Sequence, residues 1–292
     1  MFKGSFTALV TPFRNGIIDE EAFQRFIGWQ IDEGTEGLVP CGTTGESATM
    51  TPDEQTRVIE LCVKTVRGRV PVIAGTGTND TAKTIHLTQT AQKLGADAAL
   101  LVTPYYNKPS QEGLFQHYKA VHDATRIPLV LYNVPGRTGV NLTPETVGRL
   151  AELPRIAGIK DATPDIVRPL KLRQAAGPDF ALLSGEDASV VAFLAHGGDG
   201  CISVTANIAP RACASLHRAW ARKDWAEVCR LRDFLLPLHE AMFIETNPCP
   251  VKFAASMLGF GDGSLRLPLW QISDASREIV RRAMESAGIR EA

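Results

Sequence analysis

Lys160 closes the apolar run Ile156-Ala157-Gly158-Ile159 and is followed by Asp161. A lysine at the end of a buried strand must be desolvated or paired. Desolvation disfavours an ammonium and leaves a neutral amine, the form that attacks carbonyl carbon. Alone, such a lysine reads first as a side chain snorkelling into solvent. The residues at the ends of other apolar runs change that reading. The turn Gly42-Thr43-Thr44-Gly45-Glu46 offers backbone amides and two hydroxyls, donors that suit a carboxylate. Taken alone it reads as well as an ordinary tight turn. Tyr132 carries a phenol that can shuttle protons while an imine forms, or else simply buries its ring. Arg137 follows a Pro-Gly turn and has a guanidinium fork that fits a carboxylate, or else is a solvated loop arginine. Tyr105 and Tyr106 suit a site or a subunit contact.

Those residues need elements to hold them. Eight short, continuously apolar runs are expected as strands: Phe6–Val10, Gly37–Pro40, Val70–Ala74, Ala98–Val102, Pro128–Tyr132, the lysine run from Ile156, Phe180–Ser184 and Gly200–Val204. Continuous rather than alternating apolar character marks parallel strands covered on both faces. Helix signals lie between them. Asp19, Asp80 and Ser110 read as caps, Thr51-Pro52-Asp53-Glu54 as a capping box, and Thr143-Pro144 as a cap with proline in the first turn. Pro169 requires its helix to start near Asp165, because first-turn amides need no partner. Eight β-α units predict an α/β fold, a (β/α)8 TIM barrel. The first strand is followed by no Gly-x-Gly-x-x-Gly, which argues against a doubly wound sheet. After about residue 222 the pattern is purely helical. The expected organisation is a catalytic barrel over 1–222 and a C-terminal helical extension over 223–292. Pro237 is expected to kink the first helix of that extension.

In a barrel, chemistry gathers at the C-terminal ends of the strands. All the candidates above fall there, as does Gly185. Ser184-Gly185-Glu186-Asp187 puts acid where many barrels hold phosphate, which argues against a phosphorylated substrate.

Composition excludes several classes. The 292 residues carry 31 basic and 32 acidic side chains and no basic tract, so neither nucleic acid nor an anionic membrane is an expected partner. No apolar run is long enough to span a membrane. The first strand follows the N-terminal residues at once, so no signal peptide is expected. The six cysteines include no Cys-x-x-Cys pair, and reduced thiols in a cytoplasmic protein are expected. The histidines are scattered without metal-site spacing, so no metal is expected.

Together these motifs resemble the pyruvate-dependent class I aldolase superfamily. Gly42-Thr43-Thr44-Gly45-Glu46, Tyr132-Asn133-Val134-Pro135 and Gly158-Ile159-Lys160 carry that likeness. Finer features resemble the dihydrodipicolinate synthase (4-hydroxy-tetrahydrodipicolinate synthase) family: Tyr105-Tyr106-Asn107, Arg137-Thr138-Gly139, the run from Ile202 to Asn207, and Asn247-Pro248-Cys249-Pro250-Val251-Lys252. The likeness extends from Gly4-Ser5-Phe6 to Leu265-Arg266-Leu267-Pro268. It implies a Schiff-base aldol condensation of pyruvate with L-aspartate 4-semialdehyde and cyclisation, the first committed step of lysine (diaminopimelate) biosynthesis. It implies that Lys160 forms the Schiff base and that Thr43 and Thr44 bind the pyruvate carboxylate. Tyr132, with Thr44 and Tyr106, would relay protons, and Tyr106 would come from a neighbouring subunit. Arg137 would hold the aldehyde's carboxylate, and Gly185 and Ile202 would line the pocket. The likeness further implies no metal or organic cofactor and a homotetramer built as a dimer of dimers. The alternative is a 2-keto-3-deoxy sugar acid aldolase or dehydratase of the same superfamily, in which the position of Arg137 is usually not arginine.

Family members inhibited by lysine bind it at a dimer interface, around positions that here are Ser47, Ala48, Asn79 and Tyr105. Three further positions, often histidine, histidine and glutamate in sensitive enzymes, are Pro52, Gln55 and Lys83. Lys83 repels the ligand's ammonium. Feedback inhibition by lysine is therefore expected to be weak or absent, and an inhibition curve with its midpoint below a millimolar contradicts this.

Overall fold

The structure, a computed structural model, describes residues 2–290. Parallel strands and helices alternate along it: β1 (Gly4–Ala8), α1 (Glu20–Asp32), β2 (Gly37–Val39), α2 (Pro52–Val66), β3 (Ile73–Gly75), α3 (Thr81–Leu94), β4 (Ala98–Val102) and α4 (Gln111–Ala124). They continue with β5 (Leu129–Asn133), α5 (Pro144–Ala151), β6 (Ile156–Asp161), α6 (Arg168–Ala176), β7 (Ala181–Ser184), α7 (Val190–Ala195), β8 (Gly200–Ser203) and α8 (Pro210–Ala221). Three helices follow, α9 (Trp225–Met242), α10 (Cys249–Met257) and α11 (Asp274–Ser286). This is the (β/α)8 order with C-terminal helices that the apolar runs predict. A hairpin of Phe13–Arg14 with Ile17–Ile18 follows β1.

The caps form as their residues require. Asp19, Asp80, Ser110 and Thr143 each accept a first-turn amide, and Thr51 with Glu54 closes a capping box. Most strand bounds shift by a residue or so, and three boundaries differ for a visible reason. β1 stops at Ala8 because the Val10 amide bonds the Asn207 Oδ1 at 2.9 Å instead of continuing the ladder. β3 starts later than Val70 because Pro71 has no amide to give. α6 starts at Arg168 rather than Asp165, whose side chain instead accepts the Val167 amide; Pro169 still lies in the first turn. Pro237 lies inside α9, which continues on both sides of it.

Contacts gather the chain into two compact units. One is Pro71–Ile202 with the residues up to Gly4; the other is Ser5–Val70 with the chain from Ser203 onward. In the first, β3 to β8 pair in chain order, each parallel to the next. Leu100, Leu101, Leu129, Val130, Leu131, Ile159, Leu182 and Leu183 are buried along these strands. Each such side chain contributes about 1.5–3 kcal/mol by leaving water. Gly158 lets β6 and β7 approach: a Cβ there would lie 2.5 Å from the Ala181 carbonyl oxygen. In the second unit, β1 pairs with β2, with Phe6 opposite Gly37 and Ala8 opposite Val39. Phe23, Phe26 and Ile27 of α1 are buried, and the Phe26 and Phe260 rings lie 4.9 Å apart.

No described helix is long and apolar enough to cross a membrane. All six cysteines are free thiols. The two kinds of glycine predict opposite outcomes. Gly158→Ala should lose about 1–3 kcal/mol, a fall in thermal midpoint of about 2–10 °C. Gly28→Ala, inside α1 with nothing within 4 Å of the added carbon, should gain about 0.5–1 kcal/mol. Calorimetry on both variants checks this.

Candidate active site

Within the first unit, the β5–β6 register sets Tyr132 opposite Lys160 and Asn133 opposite Asp161. Alternate strand residues face opposite sides, so Tyr132 and Lys160 share one face. Both are buried, at 6% exposure each. Lys160 Nζ lies 4.5 Å from the centroid of the Tyr132 ring. Among the described residues Lys160 has neither a hydrogen bond nor an ion pair. Gly185, at the end of β7, leaves room for the lysine arm: a Cβ there would come within 3.0 Å of Lys160 Cε. Its amide bonds the Asp161 carbonyl at 2.7 Å. Ile202 is fully buried on β8.

On the opposite face, Asp161 and Arg168 form a buried ion pair at 2.7 Å. Sequence reading missed it, although an acid directly after the strand's lysine and an arginine at a helix start were the available signals. Asn133 joins Asp161 at 3.2 Å.

Tyr105, Tyr106 and Arg137 line one open cavity of about 530 Å³, whose wall also includes Lys108 and the one-turn helix Pro135–Thr138. Two cations beside two phenols suit an anionic ligand. Lys108 was not singled out from the sequence; it packs its stem on Gly139, where a Cβ would meet Lys108 Cε at 3.0 Å. Tyr106 is 89% exposed, with a left-handed backbone at φ +70°.

Within the second unit, the turn after β2 is closely packed and hydrogen-bonded. Cys41 and Glu46 take left-handed conformations, φ +56° and +57°. Gly45 passes close to other backbone: a Cβ would lie 3.0 Å from the Leu9 carbonyl oxygen. The Gly45 and Glu46 amides bond the Gly42 and Thr43 carbonyls, both at 3.1 Å. Thr44 is buried and its Oγ1 accepts from Asn247 Nδ2 at 3.1 Å. The turn's acid is not solvated. Glu46 is buried, paired with Lys252 Nζ at 2.5 Å, and takes the Arg266 amide at 3.0 Å. Burial pulls the Lys252 ammonium below its ordinary value, and the attraction of Glu46 opposes that pull. Asn247 and Lys252 therefore anchor the turn from the start of α10. Sequence reading placed both in a family motif without a contact.

Of the expected lysine-site residues, Asn79 and Tyr105 lie in the first unit, and the Asn79 carbonyl accepts from Asn107 Nδ2 at 2.9 Å. Ser47 and Ala48 lie in the second, on the one-turn helix Ser47–Thr49. Gln55 donates to the Ser47 carbonyl at 2.8 Å, so its side chain is engaged. Pro52 opens α2, and Lys83 is exposed in the first turn of α3.

The family model for the dihydrodipicolinate synthetase family matches residues 1–287. A 4-hydroxy-tetrahydrodipicolinate synthase of Rhodospirillum centenum is 60% identical over 289 residues, which cover 99% of each chain. The crystal structure of dihydrodipicolinate synthase from Aquifex aeolicus superposes with a TM-score of 0.98 at 41% identity, covering 99% of both chains. The chloride-inhibited enzyme of Acinetobacter baumannii, crystallised with pyruvate, gives 0.96 at 46% identity, covering 99% of this chain and 100% of that one. These likenesses show the (β/α)8 fold with C-terminal helices.

The brace around the second unit's turn has a pH signature. Arg266 pairs with Glu54, and its hydrogen bonds hold the Glu54 carboxyl at about 2, well below its ordinary 4.5. A depressed carboxyl stabilises the fold fully above pH 4.5 and loses that contribution as pH falls towards 2. Glu54→Gln should lower the urea midpoint at pH 7 and flatten its fall through this window. Parallel midpoint-against-pH curves for the two proteins check this.

Proposed function

The chain belongs to the dihydrodipicolinate synthetase family and is a lyase of the 4-hydroxy-tetrahydrodipicolinate synthase type, and from that premise we propose how its residues carry the reaction. The observation that carries the proposal is the buried, unpaired Lys160 against the Tyr132 ring. A neutral amine there attacks the pyruvate carbonyl, and the carbonyl oxygen leaves as water to give an iminium. The iminium withdraws electrons, so the methyl group loses a proton and becomes an enamine carbon. That carbon attacks the aldehyde of L-aspartate 4-semialdehyde. The amine of the second substrate then displaces Lys160 and closes the ring, so one water is released over the cycle. The lysine takes the place of a Lewis acid, and the proposed reaction uses no metal or organic cofactor.

The other roles follow from chemistry and family likeness. Tyr132 delivers and removes protons during imine formation, with Thr44 and Tyr106 as its relay. Thr43 and Thr44 hold the pyruvate carboxylate through amides and hydroxyls. Arg137 takes the carboxylate of the aldehyde in a bidentate fork, and the open cavity that it shares with Lys108 supports this role. Gly185 and Ile202 bound the pocket around the lysine arm. The exposure of Tyr106 supports its donation to a neighbouring subunit, in a homotetramer made as a dimer of dimers. The proposed setting is the cytoplasm. The proposed lysine-binding residues are Ser47, Ala48, Asn79 and Tyr105, with the weak response argued from Lys83.

Borohydride reduction with pyruvate should add mass to the wild type and none to Lys160→Ala, read by intact mass spectrometry. Tyr132→Phe should lower kcat by about 10²–10³-fold while leaving the chain folded. Arg137→Ala should raise KM for the aldehyde far more than for pyruvate. No adduct on the wild type removes the Schiff-base mechanism. Release of pyruvate from 2-keto-3-deoxy sugar acids, without consumption of the semialdehyde, moves the chain to the sugar-acid branch.

A further inference from the structure

The face of β5 and β6 turned away from Lys160 carries a closed polar cluster that the proposed chemistry does not use. Asn133 and Asp161 are opposite one another, one residue after Tyr132 and Lys160. Asp161 Oδ2 accepts from Arg168 Nε at 2.7 Å and from Asn133 Nδ2 at 3.2 Å. Asp161 Oδ1 accepts from the Thr163 amide at 3.0 Å and its hydroxyl at 2.6 Å. Asn133 Oδ1 accepts the Leu142 amide at 2.9 Å, and Asn133 Nδ2 also donates to Asn141 Oδ1 at 2.9 Å. Arg168 Nη2 donates to the Leu142 carbonyl. Asn133, Asp161 and Arg168 are all buried.

The geometry of this cluster is more particular than stability requires. Replacing a buried ion pair by apolar groups of similar size is often neutral or stabilising, so a buried pair is weak evidence of a stabilising role. This one ties three things together. It locks the tips of β5 and β6, from which Tyr132 and Lys160 project. Through the Asp161 carbonyl it holds the Gly185 amide, beside the lysine arm. Through Asn141 and Leu142 it pinches the base of the loop that leaves β5 and carries Arg137. The loop starts next to Asn133 and returns to it eight residues later.

Resting on the roles proposed for Lys160 and Arg137, we infer that Asn133, Asp161 and Arg168 are positioning residues that fix the acceptor-binding arm relative to the imine-forming amine. They touch neither substrate. They set how the aldehyde is presented to the enamine, so their loss falls on capture of the second substrate rather than on binding of the first.

The test uses the full chain and separates positioning from folding. Asn141→Ala cuts the pinch at an exposed residue and leaves the buried charges intact. It should raise KM for aspartate semialdehyde about tenfold, with KM for pyruvate and the borohydride-trapped adduct within about twofold of wild type. Arg168→Lys keeps a cation beside Asp161 but cannot also reach Leu142 as the guanidinium does. It should retain most of the thermal midpoint and still show the raised aldehyde KM. Arg168→Met should lower the thermal midpoint and raise the aldehyde KM as well. Aldehyde kinetics within about twofold of wild type in Asn141→Ala and Arg168→Lys overturn the inference, whatever their midpoints. So does a pyruvate KM that rises in step with the aldehyde KM. If the wild type itself forms no adduct, the Schiff-base reading fails and the cluster's role goes with it.

Discussion

Parallel pairing of β5 with β6 is the constraint on which the candidate site depends. Its register sets Tyr132 opposite Lys160 on one face and Asn133 opposite Asp161 on the other. A slip of one residue would exchange the faces, because side chains alternate along a strand. The amine would then meet the polar cluster, and Asp161 would enter the pocket. The cluster's hydrogen bonds make that slip expensive, since buried donors and acceptors would lose their partners. Gly158 contributes by letting β7 close on β6, and Gly185 by leaving volume for the lysine arm.

Two buried lysines show how environment separates chemistry from structure. Lys252 is 3% exposed and neutralised by Glu46, so its charge is spent on holding the turn before α2. Lys160 is buried nearly as deeply but faces an aromatic ring and has no counter-charge among the described residues. Removing a partner from a buried pair leaves an uncompensated charge that costs about 3–5 kcal/mol. Lys252 keeps such a partner in Glu46, and Lys160 has none among the described residues. A buried amine without a counter-charge is what the proposed imine formation calls for.

The proposed carboxylate-binding groups differ in how firmly they are held. The Thr43-Thr44 turn is held by left-handed backbone at Cys41 and Glu46, by Asn247 and by the Lys252–Glu46 pair, so its amides are oriented before any ligand arrives. Arg137 and Lys108 sit instead on exposed loops around an open cavity. The acidic stretch after β7 is not a second charged arm. Glu186 is engaged in the turn before α7, accepting the Ala188 amide at 3.0 Å and the Ser189 amide at 2.6 Å.

Much of this was legible in the residues. Apolar runs bounded by caps, prolines and glycines specify where strands and helices lie, because burial periodicity and first-turn hydrogen bonding are local. Lys160, Tyr132, Thr44 and Arg137 stand out by type and by position at run ends, and the family likeness joins them. The boundaries at Val10 and Pro71 shifted where a distant partner or a missing amide decided them, and the one at Arg168 where Asp165 turned to the Val167 amide. The Asp161–Arg168–Asn133 cluster, the Lys252–Glu46 pair and the Asn247–Thr44 bond were not legible, nor was Lys108 beside Arg137. Those contacts join residues up to about two hundred positions apart in the chain. A charged residue's type does not say whether it will be solvated, paired or left alone. By itself, the sequence determined the order of elements and singled out the candidate groups at the ends of the strands. Only the tertiary structure decided that Lys252 and Asp161 find partners while Lys160 has none among the described residues, because pairing depends on distances that no local pattern encodes.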